Sequence, residues 1–288
     1  MPNLKEIRNR IASVSSTMQI TSAMKMVSAA KLKKAQDAIT AMRPYADKLT
    51  ELLQNLSANL DGDSSSQYAQ VREVKRVLIV SISSNRGLCG AFNSNIVKQS
   101  VSLFQGEYGN KQVEFLTIGK KANDLLSKRH TVISNHNGIF DNLTFEEVEK
   151  IADHLMELFT MGSYDRILLV YNRFKNAATQ IVMTEQFLPI QPPAEAAQQA
   201  SADYIFEPSE AEIVEQLIPK SLKTQLFKAI RDSFASEHGA RMTAMHKATD
   251  NAGELKDQLT LTYNKARQAA ITNEILEIVG GAEALSNG

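Results

Sequence analysis

Apolar and small residues step through the first sixty positions at alternating intervals of three and four. The series runs Leu4, Ile7, Ile11, Val14, Met18, Thr21, Lys25, Ser28, Leu32, Ala35, Ile39, Met42, Ala46, Leu49, Leu53, Leu56, Leu60. Such a heptad stripe predicts a long helix wrapped on a partner helix. Asn3 and Glu6 form a capping-box pattern at its start, and no glycine precedes Gly62. Pro44 predicts a kink or break, after a run of roughly 60 Å. Thr21, Lys25 and Ser28 interrupt the apolar series, while Met24, Met26 and Val27 lie beside it. Either the apolar face shifts there as the helices cross, or Met24 and Met26 face another protein, a role suited to adaptable thioethers.

The same stepping returns at the other end: Met245, Ala248, Ala252, Leu255, Leu259, Thr262, Ala266, Ala269, Asn273, Leu276. A capping-box pattern at Ser209 and Glu212 opens this segment, and Pro219 predicts a break between a short first helix and a long second one. Its many small seam residues permit close approach, so the two ends predict an antiparallel coiled coil.

Between them the period changes. Asp61 to Gln67 reads as a linker. Val77–Val80 is a continuous apolar run, as in a strand buried on both faces. Further strands are predicted at Val113–Ile118, Thr131–Ser134, Ile167–Tyr171 and Gln180–Leu188, the last two as a hairpin. Helices are predicted from Phe92 to Phe104, from Lys120 to about Lys128, and from Thr144, boxed by Glu147, to Gly162. Pro189 to Asp203 reads as a loop back to the final helices. This alternation gives the fold class: an α/β chain with a long antiparallel coiled coil of its N- and C-terminal helices and a Rossmann-like α/β domain with a mostly parallel sheet. The domain boundaries follow as 1–60, 61–205 and 206–288.

Charge sharpens the division. The 288 residues carry no formal net charge, yet residues 1–60 hold nine basic and four acidic side chains, and residues 61–219 hold fourteen and twenty. The first helix is thus basic, densest at Lys31, Lys33 and Lys34, and suits an acidic partner. The single cysteine, Cys89, excludes an intrachain disulfide and a CxxC metal site, and reads as a buried small hydrophobe. No apolar run is long enough to span a membrane. The polar start carries no leader pattern and suggests a soluble chain from a reducing compartment.

A Rossmann-like domain raises the question of nucleotides. The loop SSNRGLCG at Ser83–Gly90 has neither GxGxxG nor GxxxxGK[ST] spacing, and Gly87 and Gly90 read as turn glycines. His238 and His246 stand too far apart on a helix for one metal, and no acid–base, nucleophilic or metal constellation emerges. A coiled-coil-linked nucleotide-binding enzyme stays open as the alternative function, and a basic coiled-coil adaptor for nucleic acid or lipid as a third class.

Three blocks carry a resemblance. LKEIRNRIASVSSTMQITSAMKMVSAAKLKKAQ, SSNRGLCGAFNSN and ASEHGARMTAMHKATDNAGELKDQLTLTYNKARQAAITNEILEIVGGAEAL occur in that order. They resemble the gamma subunit of the bacterial-type rotary (F-type) ATP synthase; residues about 100–205 match only in layout and length. The resemblance implies a non-catalytic central-stalk rotor without a cofactor of its own. Its coiled coil would thread a ring of alpha and beta subunits, and its foot would meet the epsilon subunit and the c ring. Rotation of the c ring by protons would then bias the beta subunits in turn and drive ATP synthesis. Residue by residue, the resemblance implies that Met24, Lys25 and Arg241 face the acidic lever loop of beta, although the family can carry an acidic residue where Lys25 stands. It implies that Arg267, Gln268 and Thr272 hydrogen-bond to beta loops. It implies that Ile275, Leu276, Ile278 and Val279 sit in an apolar bearing, and that Lys31, Tyr204 and Glu207 belong to the foot. No nucleic acid is expected. Membrane association would come through partners only, on the cytoplasmic side of a bacterial inner membrane, and the thiol switch of chloroplast-type relatives is ruled out by the single cysteine.

Overall fold

The computed structural model describes residues 4–59, 67–190 and 210–286. The elements in chain order are α1 (Leu4–Asn59), β1 (Arg76–Ile82), α2 (Phe92–Gln105), β2 (Gln112–Ile118), α3 (Lys120–Leu126), β3 (Val132–Asn135), a 3-10 turn at Asn137–Phe140, α4 (Phe145–Thr160), β4 (Arg166–Phe174), β5 (Gln180–Leu188) and α5 (Glu210–Ser286). They pack as two compact units. One holds Met1–Val27 and Met242–Gly288, the other Ser28–Arg241.

The larger unit is built on a five-stranded sheet of order β3-β2-β1-β4-β5. The first four strands are parallel, and β5 returns antiparallel to β4 as the expected hairpin. β1 is central and buried from Val77 to Ile82, which explains its unbroken apolar run. Its alternate side chains serve two cores. Leu78, Val80 and Ile82 join Val148, Ile151, Leu155 and Phe159 of α4 and Ile218, Leu222, Leu226 and Ile230 of α5. Val77 and Ile79 join Ile96 of α2 and Ala122 and Leu126 of α3. Helices therefore cover both faces, with α2 and α3 on one side and α4 and α5 on the other.

Neither proline ends a helix, so the break expected at Pro219 and the break offered beside a kink at Pro44 do not occur: α1 runs through Pro44 and α5 through Pro219. An interior proline costs about 3 kcal/mol. The buried Ile39, Ala46 and Leu49 around Pro44, and Ile218 and Leu222 around Pro219, offset that cost by burial. The capping box at Thr144 does not form either. Thr144 is the N-cap residue but makes no side-chain cap bond, and Glu147 pairs instead with Lys150 at 2.6 Å. Asn3, Ser209 and the Asp61–Ser66 linker lie outside the described residues.

In the smaller unit the two chain ends pair antiparallel. Thr21 Oγ1 lies 2.8 Å from Thr249 Oγ1, Lys25 Nζ 3.3 Å from His246 Nδ1, and a Cβ on Gly253 would meet Met18 Sδ at 4.0 Å. The α1 stripe does not shift faces at its polar positions: every member from Leu4 to Leu49 is buried or half-buried, Thr21 and Ser28 fully. The α5 seam differs from the expected one at two inner positions and at its end. Met245, Ala248, Ala252, Leu259, Ala266 and Ala269 are buried or half-buried as predicted, with Thr249 half-buried beside Ala248; Lys256 and Tyr263 take the places of Leu255 (45 % exposed) and Thr262, which turn out to solvent. Asn273 and Leu276 are exposed too.

Candidate functional site

In a doubly wound sheet, ligands bind beyond the carboxyl ends of the strands where the strand order reverses. Here that point lies between β1 and β4. The crevice is filled by the chain's own α5. Arg241 Nη2 donates to the carbonyls of Arg86 (3.1 Å) and Gly87 (3.3 Å) in the β1–α2 loop, and its Nε donates to Gly87 at 3.4 Å. Its Nη1 lies 2.6 Å from Glu237 Oε1, with both side chains 9 % exposed. Ser236 Oγ donates to the carbonyl of Asn172 at the end of β4 (2.9 Å), and Asn172 Nδ2 donates to Phe92 O at the start of α2 (3.2 Å).

The loop so held is unusual in itself. Leu88 adopts φ +60°, a left-handed conformation that is costly for a bulky side chain, yet it is exposed. Arg241 on one side and Asn93 on the other hold it. Asn93 Oδ1 accepts from Ser84 N (3.0 Å), and its Nδ2 approaches Cys89 Sγ (3.2 Å). Cys89 packs with Phe92 and Ala240, and burial pushes its thiol up. Gly119 closes the neighbouring strand end at φ +103°, so near Ser83 O that a Cβ would meet it at 2.2 Å.

Burial dominates the electrostatics of this plug. It raises the carboxyl of Glu237 even with Arg241 alongside, and pushes His238 down to about 4, aided by the charges of Arg241 and Lys31. The His238 ring packs edge-on to Phe234 at 4.5 Å, leaving its buried Nε2 without a hydrogen-bond partner. A neutral imidazole fits that setting.

The predicted site residues separate into four groups. Arg241 is in the interior: its charge is spent on Glu237 and two loop carbonyls, not offered at a surface. The signal for this was Glu237, one turn earlier on the same helix face. Met24 and Lys25 are half-buried at the helix seam. Met26 (65 % exposed), Val27 and Ile20 face outward beside them, and His246 Nδ1 is also 3.3 Å from Asp250 Oδ2. Sequence reasoning did not single out Ile20, although it lies seven residues before Val27.

The third group is the end of α5. Continuing the antiparallel register brings Leu4 level with about residue 267. Past Ala269 every residue through Glu283 is exposed, including Ile275, Leu276, Ile278 and Val279 at 54 to 66 %. Arg267 and Gln268 are exposed, and Thr272 Oγ1 donates back to Gln268 O at 3.0 Å. A single helix showing several adjacent large apolar side chains marks a surface made to be covered. In the fourth group, Lys31 is exposed on α1; Tyr204 and Glu207 lie outside the described residues. None of the described helices is long and apolar enough to cross a membrane.

Paired terminal helices with an apolar free end, joined to an α/β domain whose ligand crevice is closed by its own helix, define a mechanical subunit of a larger assembly. The ATP synthase family model matches residues 3–285. The gamma chain of Flavobacterium johnsoniae is 72 % identical over 286 residues, covering 99 % of this chain and 100 % of the relative. That of Geobacter sp. is 45 % identical, covering 99 % of each. Among solved structures, a chain of the Tetrahymena thermophila mitochondrial ATP synthase central stalk and c ring is 27 % identical, with a TM-score of 0.58 over 80 % of this chain and 99 % of that one. A chain of the Euglena gracilis mitochondrial enzyme, in its OSCP, F1 and c-ring assembly, shares the fold at a TM-score of 0.70 and 24 % identity, covering 98 % and 94 %. The chain belongs to the ATP synthase gamma-chain family.

Proposed function

We propose that this chain is the rotating central stalk of a bacterial ATP synthase and that it catalyses no step itself. The observation that carries this reading is the open apolar end of α5, a helix surface that needs a partner, together with α5 lying bonded across the β1–α2 loop where a doubly wound sheet would take a ligand. Proton flow turns the c ring, the c ring turns the foot of this chain, and its helices present different faces to the three beta subunits. Each face favours one beta conformation by differential contact, so rotation shifts the populations of the three sites in sequence.

The residues divide the work. Met24, Lys25 and the exposed Met26 and Val27 meet the acidic lever of beta. Arg267, Gln268 and Thr272 form polar contacts that hold the stalk at rest angles and break as it turns. Ile275, Leu276, Ile278 and Val279 turn in an apolar collar, where contacts without direction resist rotation least. Lys31, Tyr204 and Glu207 belong to the foot on the c ring and the epsilon subunit. Arg241 acts by holding the β1–α2 loop to α5. The chain sits peripherally on the cytoplasmic face of the inner membrane, attached through its partners.

Tagged chain should co-purify with alpha, beta and epsilon subunits in a complex that hydrolyses ATP. Deleting roughly the last dozen residues should leave assembly intact and weaken coupling; a truncated complex with unchanged coupling and stability would remove the collar role. The nucleotide-enzyme reading loses its crevice to Arg241 and Glu237, and calorimetry with ATP on the purified chain should register no heat at micromolar levels.

A further inference from the structure

The α5 segment between Lys223 and Arg241 is tied to the α/β body by directional bonds as well as by apolar packing. Lys223 Nζ bridges Glu149 (2.6 Å) and Asp153 (2.9 Å), one turn apart on α4, with only 18 % of its side chain exposed. Gln225 Nε2 donates to Gln186 O on β5 (3.3 Å). Arg231 Nη2 donates to Leu143 O in the turn before α4 (3.0 Å), its guanidinium 4.8 Å from the Phe227 ring. Ser236 and Arg241 add the bonds to β4 and the β1–α2 loop already described. Five ties reach five different elements over a helical rise of roughly 27 Å.

Their directions matter as much as their number. At about 100° per residue, Lys223 and Arg241 project from one side of the helix. Arg231 lies about 80° round from them, and Gln225 and Ser236 lie on the far side. Apolar packing alone is non-directional and tolerates a helix rolling or sliding in its groove. A helix tied on three sides at five heights can do neither without breaking a hydrogen bond, several of them charge-assisted.

We infer that Lys223 and Arg231 are positioning residues that lock α5 to the α/β body against rotation about its own axis, making α5 the element through which turning force leaves that body. This rests on the stalk reading above. The test is a Lys223→Met/Arg231→Met double variant in the complete membrane-bound complex. ATP hydrolysis and ATP-driven proton pumping are measured together in inverted vesicles. Pumping per ATP hydrolysed should fall at least about twofold, the point at which slip competes evenly with transmission, with subunit composition unchanged. The exchanged pair Lys223→Asp/Asp153→Lys, which keeps an ion pair across the same interface, should recover most of the ratio; loss of packing alone would not respond to the exchange. An unchanged ratio in the double variant overturns the inference. If the double variant does not assemble, the milder Lys223→Gln decides by the same ratio, again with no change as the refuting result. Failure of the stalk reading is distinguishable, because the unsubstituted chain would then support no coupled pumping at all.

Discussion

Replacing Arg241 by methionine tests the closed crevice most directly. The substitution keeps an unbranched apolar stem and deletes the guanidinium, with its three contacts to the Arg86 and Gly87 carbonyls and its 2.6 Å pair with Glu237. Breaking a buried ion pair by removing one partner costs about 3–5 kcal/mol. The cost here has a ceiling, since burial already raises the Glu237 carboxyl and loss of Arg241 raises it further, so a proton can relieve the stranded charge. A carboxyl whose folded pKa lies above its unfolded value adds stability that is complete below the unfolded pKa and lost as pH rises through the folded one. The penalty should therefore be about 3–4 kcal/mol near pH 8 and smaller near pH 5. Glu237→Gln keeps an acceptor for the guanidinium and should cost only about 1–2 kcal/mol. The double variant Arg241→Met/Glu237→Leu strands no charge, so it should cost less than the two single changes together. Urea unfolding followed by circular dichroism gives the stabilities at both pH values. Hydrogen exchange across residues 84–92 reports the loop, which should lose protection once Leu88 is no longer held at positive φ. A cost below about 1 kcal/mol, or one equal at both pH values, would refute the reasoning.

Gly119→Ala should be severe, because its Cβ would sit 2.2 Å from a backbone oxygen at φ +103°. A loss of about 3 kcal/mol is expected, read as a midpoint lowered by about 6–12 °C. His238, pushed down to about 4 by burial, supplies stability that is present above the unfolded pKa near 6.5 and lost as pH falls toward 4. The loss should approach about 3 kcal/mol, and His238→Gln should flatten that part of the pH–stability curve. Thr21→Val should cost about 1 kcal/mol or less, since Thr249 keeps its bond to Met245 O at 2.8 Å; a larger loss in thermal melts would mean that the threonine pair carries more of the seam than its geometry implies.

The elements were legible where one local signal dominated. β1 was readable because both its faces are buried, and β4–β5 because a short polar connection permits only a hairpin. The α1 stripe was readable from Leu4 to Leu49, Thr21 and Ser28 included; at Thr21 the heptad spacing survives a polar residue that finds a partner across the seam. Its counterpart in α5 was legible except at Leu255, Thr262 and the last two positions, Asn273 and Leu276. Apolar stepping favoured Leu255 over Lys256 and Thr262 over Tyr263, although the second of each pair is the half-buried one. The partner helix decides such positions: Thr249 faces Thr21 across the seam, and Lys256 is half-buried where Leu255 is exposed.

By itself the sequence determined the alternation of strands and helices, the two long terminal helices and the surplus of positive charge on the first, since these depend on near neighbours and period alone. Only the tertiary structure decided that Pro44 and Pro219 are carried inside unbroken helices, because burial on either side outweighs the lost backbone bond. It also decided where Arg241 is held: Glu237 stands one turn away on the same helix, but the Arg86 and Gly87 carbonyls reach the guanidinium only after β1 has been laid beside β4 and α5 across their ends.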